Sequence, residues 1–506
     1  MTLGELINLK AEEFRDHVAF VQPGEASLTY KVFNQKVNQL ANFLLHKGLK
    51  KGDKVAILLQ NCLEFIISYF AIVKIGAVVL PLNNMLTFEE LDFILKDAKT
   101  VALITSETFK ETADELMARV DSLKLQLKVE NFESECFQPA RASSSGADGE
   151  NLSCSCQEED VATLIYTSGT TGSPKGVMLT HKNLISNAQA CLKKITVTPK
   201  DNFSCLLLLY HSFTITTCVL VPLYAGATSV IIKSLKNFKE VFKQLLKSKV
   251  TVLIAIPPIY RILVEAKTPS FLTAFPFRLF LNPIRLCVSG GEALPLEVMK
   301  KFEAKFHIPL IEGYGLTEAS PVVTLSPIKK KKLGSVGKAL EGVEIKIINE
   351  QDQEVSIGEV GEVLVKGSSV MKGYYDKPEE TRNAIKNGWL YTGDLGKLDK
   401  EGFLYIVDRK KDLIVMKGLN IYPKEVEDAL YTHTKIKEAA VVGKKLEDGD
   451  EVPIAYIVLQ EGENITQEEI HKYLQHSLAH YKIPRRIEFR KELPKTPTGK
   501  ILKRFL

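Results

Sequence analysis

The chain of 506 residues is 45% apolar and 25% charged, enough to bury a sizeable core and long enough for more than one folding unit. Lys and Arg total 66 against 61 Asp and Glu; a formal net charge of +5 is too small to argue for nucleic acid and fits small anionic ligands or a merely lysine-rich surface. Eight scattered cysteines, mostly in apolar runs, give no disulfide framework and no zinc-site spacing, so a reduced, cytoplasmic setting is expected. In chain order, Leu3 to Asp16 reads as a helix whose Glu5, Glu12 and Glu13 interrupt any secretory apolar stretch. Tyr30 to Lys47 is a helix ended by Gly48, Lys54 to Leu59 a strand, Glu64 to Lys74 a helix and Ala77 to Pro81 a strand. Thr87 and Glu90 form a capping box before the next helix, which leads to strand Val101 to Thr105. Helices alternating with short apolar strands predict a largely parallel sheet covered on both faces.

Residues 138–159 are rich in Ser, Gly and acids and read as a surface loop. Strand Ala162 to Tyr166 follows, then a Gly/Ser/Thr loop, then a helix from about Thr180. From Phe203 to Ile232 there is no Asp, Glu, Lys or Arg. The length would suit a transmembrane helix, but His211, Pro222, Gly226 and several hydroxyl residues break it into strand, helix and strand, so buried core is expected. The alternation resumes through Val250 to Ile256 and Arg285 to Ser289, and beyond Gly334 short β runs such as Val343 to Ile348 and Gly361 to Gly367 suggest a small barrel. A last unit starts near Asp408, with helix Pro423 to Tyr431, strands Glu438 to Gly443 and Pro453 to Leu459, and helix Thr466 to Tyr481 opened by a Thr466–Glu469 capping box. The expected class is α/β: a large N-terminal domain, 1–408, of βα subdomains with parallel sheets plus a small distorted β-barrel, and a small α+β C-terminal domain, 409–506.

The segment from Leu164 to Gly176 carries the strongest chemical signal. Its three glycines, with Thr167, Ser168, Thr170, Thr171, Ser173 and Lys175, follow a strand. Glycine lets backbone N–H groups approach an anion, hydroxyls donate, and lysine adds a point charge. It is not a Walker A loop, and by composition alone a plain turn is an equal reading. Gly313 to Glu318 begins like a dinucleotide fingerprint but puts Glu318 where the third glycine belongs. A carboxylate near a phosphate loop makes sense with Mg²⁺ between them; a surface ion pair is the plainer reading. Asp394, after Tyr391, Thr392 and Gly393, suits a turn cap or two ribose hydroxyls. His476 and His480, four apart, lack a third ligand and read as packing residues.

In their order, Thr167 to Gly176, Gly313 to Glu318, Tyr391 to Asp394, Asp408 to Asp412 and Pro494 to Lys500 resemble the motifs of the acyl-adenylate-forming (AMP-binding) superfamily, of the acyl-CoA synthetase or fatty-acid–CoA ligase type. The resemblance implies that Thr167, Ser168, Gly169, Thr170, Thr171, Gly172 and Lys175 cradle the phosphates of ATP. It implies that Glu318, with Thr170, holds Mg²⁺, that Thr317 touches the α-phosphate, and that Gly291, Glu292, Gly313, Tyr314 and Gly315 line the adenine side. Asp394 and Arg409 are the implied ribose contacts, and His211 the gate beside the acyl pocket. Lys500 would bring two anions, the carboxylate and the α-phosphate, together, the kind of preorganised charge that dominates such steps. The small domain would then swing about Lys411 so that Gly418 lets the pantetheine arm of CoA pass.

The implied reaction has two halves: a carboxylic acid and MgATP give acyl-AMP and pyrophosphate, and the CoA thiol displaces AMP. A medium- or long-chain fatty acid is expected, because Leu, Ile, Phe and Thr abound between the phosphate loop and Glu318, while Trp389, the only tryptophan, lies outside. The rivals are an acyl-AMP ligase loading an acyl carrier protein, an aryl-CoA ligase, and a catalytically silent nucleotide-binding module. Nucleic acid is not an expected partner.

Overall fold

The computed structural model describes residues 1–137, 156–168, 174–266, 283–416, 419–445, 451–495 and 501–506. Among them, seven strands form one sheet. Its parallel part runs Val161–Ser168, Val78–Pro81, Lys54–Ile57, Ala102–Thr105 and Leu125–Lys128, with helices between, as the alternating pattern predicts. The expected capping boxes form at Thr87–Glu90 and Thr466–Glu469. The helix Leu63–Lys74 is buried nearly all round, and Lys74 Nζ is held by Asn8 and Asn34.

The stretch 174–180 departs from expectation. It is a strand, Pro174–Thr180, antiparallel to Val161–Ser168, not loop. Val177 and Leu179 are buried with half-buried Met178 between them, while Pro174 and Lys175 lie half-exposed at the start of the strand, so the period-two pattern begins directly behind the apparent Gly/Ser/Thr loop. Gly373–Tyr374 pairs on its outer edge and completes this sheet.

A second sheet of 14 strands joins the rest of the N-terminal region. Its parallel part contains Val18–Gln22, Thr228–Ile231, Asn202–Cys205, Val252–Ala255, Leu286–Ser289 and Leu310–Gly315. The small β unit is not a separate sheet. Leu310–Gly315 pairs in parallel with Leu286–Ser289 through Leu310–Glu312, then antiparallel with Val322–Leu325 through Gly313–Gly315. From there antiparallel strands continue through Gly337–Ala339, Phe403–Arg409, Trp389–Leu398, Gly361–Gly367 and Val343–Ile348.

Residues 203–232 form strand, helix and strand, and nearly all are buried in the main apolar core. Among the described residues no helix is long and apolar enough to cross a membrane. Cys62, Cys136, Cys191, Cys205, Cys218 and Cys287 are free thiols. Cys156 is disulfide-bonded, a departure from the wholly reduced set that the scattered spacing predicts.

Beyond the short turn Lys410–Asp412 the chain builds its own core around Ile414, Ile421, Val426, Leu430, Val441 and Ile457. The helix Pro423–Tyr431 and strands Ile436–Lys445, Glu451–Leu459 and Arg486–Phe489 enclose it. The helix after Thr466 ends at Leu474, short of Tyr481, so His476 and His480 share no helix face. This unit touches the larger one through Arg261, which donates to the Lys437 carbonyl at 3.0 Å and stacks on Tyr431.

Candidate active site

The carboxyl ends of the parallel strands converge on one cavity of about 920 Å³. Open α/β sheets bind ligands at this edge. Thr167 and Lys175 are cross-strand partners at the mouth of the Val161–Thr180 hairpin, and both line the cavity. The Lys175 ammonium lies 5.4 Å above the Tyr374 ring. Ser168 ends its strand there. Gly169, Thr170, Thr171 and Gly172, between the hairpin strands, lie outside the described residues, as do Gly418 and Lys500.

Gly313, Tyr314, Gly315, Thr317 and Glu318 all line the same cavity, as do Gly291 and Glu292 just beyond strand Leu286–Ser289. Gly315 has no alternative at its position: a Cβ there would sit 1.9 Å from the Pro321 carbonyl oxygen. Tyr314 donates to Asp394 Oδ2 at 2.6 Å. Asp394 and Arg409 are register partners on adjacent strands, with Arg409 Nε 3.4 Å from Asp394 Oδ1. A phenol and a guanidinium from two different elements therefore fix one buried carboxylate.

Glu318 sits on the turn Thr317–Ala319. Desolvation raises its carboxyl above the usual range, opposed by a hydrogen bond from the Tyr374 hydroxyl at 3.0 Å. Among the described residues no three His, Cys, Asp or Glu side chains group as a metal cage. One carboxylate such as Glu318 suffices for Mg²⁺, which keeps waters and takes phosphate oxygens for its remaining ligands. Thr317 Oγ1 lies 3.2 Å from Ser212 Oγ.

His211 lines the cavity beside Ser212. Burial pulls its imidazole down to about 4, so the ring is neutral near pH 7. Among the described residues its buried Nε2 has no hydrogen-bond partner, nor have the buried Thr214 Oγ1 and Ser289 Oγ of two further lining residues. Unsatisfied buried polar atoms clustered on one cavity point to a polar ligand group there. Behind them the lining turns apolar. Phe203, Leu207, Ile254, Ile256 and Val288 come from alternate positions of the sheet, and Thr217 and Val221 from the helical segment above it. By register Phe203 pairs with Val252, four residues below Ile256, so the apolar channel runs roughly 13 Å along the strands.

Lys411 also lines the cavity, at the turn joining the two units, while neighbouring Lys410 is ion-paired with Glu362 at 2.8 Å. Sequence reasoning missed Tyr374, Ser212 and Thr392, which hold Glu318, Thr317 and Asp394. The local signals were that Thr392 lies within the Tyr391–Asp394 motif and that Ser212 follows His211.

The family model for AMP-binding enzymes matches residues 8–375, and that for the AMP-binding enzyme C-terminal domain matches residues 425–500. The chain is 36% identical to a long-chain-fatty-acid–CoA ligase of Bacillus subtilis, over 100% of this chain and 94% of that protein. ATP-bound MatB from Rhodopseudomonas palustris superposes with a TM-score of 0.90 at 28% identity, covering 100% of this chain and 98% of that one. The o-succinylbenzoate coenzyme A synthetase of Bacillus subtilis, in complex with ATP and magnesium ion, gives a TM-score of 0.86 at 30% identity, covering 99% and 98%.

Proposed function

The chain belongs to the AMP-binding enzyme family and is an AMP-forming acid–thiol ligase; on that premise we propose that its acid is a medium- or long-chain fatty acid and its acceptor free CoA. One observation carries the proposal: a single cavity has a polar end of Thr167, Lys175, Glu318, Asp394 and Arg409, and an apolar channel leading away from it. ATP occupies the first end and the alkyl chain the second, with the two reacting groups meeting between them.

In this reading Asp394 and Arg409 fix the ribose, Tyr314 and the Gly291–Glu292 turn flank the adenine, and the hairpin loop from Thr167 to Lys175 takes the phosphates. Glu318, with Thr170, would hold Mg²⁺, and the ion would supply screening of the phosphate charge. Neutral His211 keeps the carboxylate head from gaining a counter-cation deep in the channel, while Lys500 lowers the repulsion between carboxylate and α-phosphate. The carboxylate oxygen bonds to the α-phosphorus as pyrophosphate leaves. The CoA sulfur then attacks the acyl carbon and AMP departs. Residues 1–408 and 409–506 act as the two moving bodies, turning about Lys411, with Gly418 beside the pantetheine path.

The test is ATP–pyrophosphate exchange over a panel of acids, followed by thioester formation with free CoA. Exchange with medium and long aliphatic acids and a CoA thioester product are expected. Exchange confined to aryl acids, transfer only to a carrier protein, or no exchange at all would each overturn the assignment. A cytoplasmic setting fits substrates of this kind.

A further inference from the structure

We propose that the segment from Lys233 to Lys249 docks this protein on an anionic lipid surface. These 17 residues hold six lysines and one glutamate, a local excess equal to the chain's entire formal net charge of +5. The rest of the chain therefore sums to no net charge, although residues 482–504 hold a second basic stretch of nine Lys and Arg against two Glu.

The helix Phe238–Lys247 arranges that charge. Lys239, Lys243 and Lys247 recur at every fourth position and form one exposed stripe, which Lys236 and Lys249 extend at its ends. Among the described residues only Lys233, on Glu25 at 3.1 Å, and Lys243, on Glu240 at 3.5 Å, have ion-pair partners in this segment. The denser run at Lys329 to Lys332 is used differently: Lys331 is tied to Glu303, and Lys332 to Asp399 and Glu401. Half of that run is paired within the fold, whereas Lys236, Lys239, Lys247 and Lys249, four of the six lysines here, have no ion-pair partner among the described residues.

Apolar side chains lie among these lysines. Val241 and Leu245 enter the core and Phe238 and Phe242 pack against it while staying half-exposed; Leu246 is half-buried and Leu235 is 39% exposed. A lysine stripe edged with apolar residues fits a lipid interface, where the lysine stems and apolar rings sink while the ammonium groups meet anionic headgroups. A nucleic-acid site would draw on arginine forks, and the segment has no arginine. None of these residues lines the cavity, so docking leaves the ATP end clear. Asn202 Nδ2 holds the Ser248 and Lys249 carbonyls at the amino ends of the strands, opposite the cavity mouth.

The experiment is co-sedimentation of the full chain with vesicles of phosphatidylcholine alone and of phosphatidylcholine mixed with phosphatidylglycerol. Binding is expected to the mixed vesicles only, and to be released by salt. Each lysine contributes roughly fivefold to partitioning. The K236E/K239E/K243E/K247E variant should therefore lose at least ~100-fold, while ATP–pyrophosphate exchange with a water-soluble short acid is unchanged. If that variant does not fold, the corresponding Lys→Gln variant is read in the same way. Binding to neutral vesicles as well, undiminished binding by a folded variant, or tighter retention on duplex DNA than on anionic vesicles overturns the proposal. Sedimentation needs no turnover, so this proposal and the substrate assignment fail separately.

Discussion

The Tyr374 hydroxyl donates to Glu318 Oε1 at 3.0 Å, joining residues 56 positions apart. Desolvation pushes the Glu318 carboxyl up and this bond pulls it down, so Tyr374 helps keep the group ionised. Tyr374→Phe removes the bond and raises the pKa further. The acid limb of the adenylation pH profile should then move to higher pH, with a higher KM for MgATP. The check is kcat/KM for MgATP against pH at saturating acid. An unmoved limb would separate Tyr374 from the charge state of Glu318.

Asp394 receives Tyr314 at 2.6 Å and lies 3.4 Å from Arg409 Nε. If those neighbours aim it at ribose hydroxyls, Asp394→Asn should raise KM for ATP roughly 10–100-fold, the worth of hydrogen bonds to a charged acceptor. Wild-type enzyme should pay a similar penalty for deoxy-ATP, and the variant little more. Independent, additive penalties would mean that Asp394 acts on Tyr314 and Arg409 and not on the sugar.

Elements with local signals were legible in the sequence, and contacts made by distant pairing were not. The capping boxes at Thr87 and Thr466, the glycine stop at Gly48 and the 423–431 helix follow from nearest-neighbour chemistry and stand where expected. The Pro174–Thr180 strand was hidden because Pro174, Lys175 and Gly176 have loop chemistry, and only pairing with Val161–Ser168 makes them extended. Tyr374 was hidden for the same reason: its two-residue strand exists through Val177 and Met178. The union of the two β regions rests on Leu310–Gly315 changing partner direction midway, which no local pattern records.

Two buried histidines should make the fold acid-sensitive. His181 and His211 are both drawn down to about 4 by burial, from an ordinary value near 6.5. The unfolded chain takes up these protons at higher pH than the folded one does. Stability is therefore full above about pH 6.5 and falls as the pH drops toward 4, by on the order of 3 kcal/mol for a fully expressed shift. His181 has a structural reason as well, since its Nδ1 accepts the Leu3 N–H at 3.2 Å and must stay unprotonated. Urea midpoints at pH 7.5 and 5 check this. His181→Gln should shrink the difference between them, and an equal difference in the variant would assign it elsewhere.

Thr217 lines the cavity from the helical segment over the sheet, its hydroxyl turned back on the Phe213 carbonyl at 2.7 Å. Thr217→Phe would place a ring across the channel between its mouth and Phe203. Long acids should lose kcat/KM by roughly 10–200-fold for each excluded methylene contact, while short acids keep theirs. The measurement is the ratio of kcat/KM for a long and a short acid. A ratio that stays constant would put the alkyl chain somewhere else.

Lys500 provides the sharpest division between the two half-reactions. Adenylation brings a carboxylate against an α-phosphate, and a cation touching both oxygens stabilises the transition state more than either ground state. Thioesterification starts from a mixed anhydride whose phosphate keeps one negative charge but whose reacting acyl carbon is uncharged, so the repulsion between carboxylate and phosphate is gone. Lys500→Ala should therefore depress ATP–pyrophosphate exchange by at least ~100-fold and leave CoA attack on supplied acyl-AMP near the wild-type rate. A fold defect would lower both rates together, and it can be tracked through the native contacts beside the position, the Lys495–Glu438 ion pair at 2.5 Å and the Lys495–Ile501 bridge. If exchange persists at the wild-type rate while thioester formation collapses, the lysine serves the second step, and the charge that unites the two anions must come from Lys175 or Arg409.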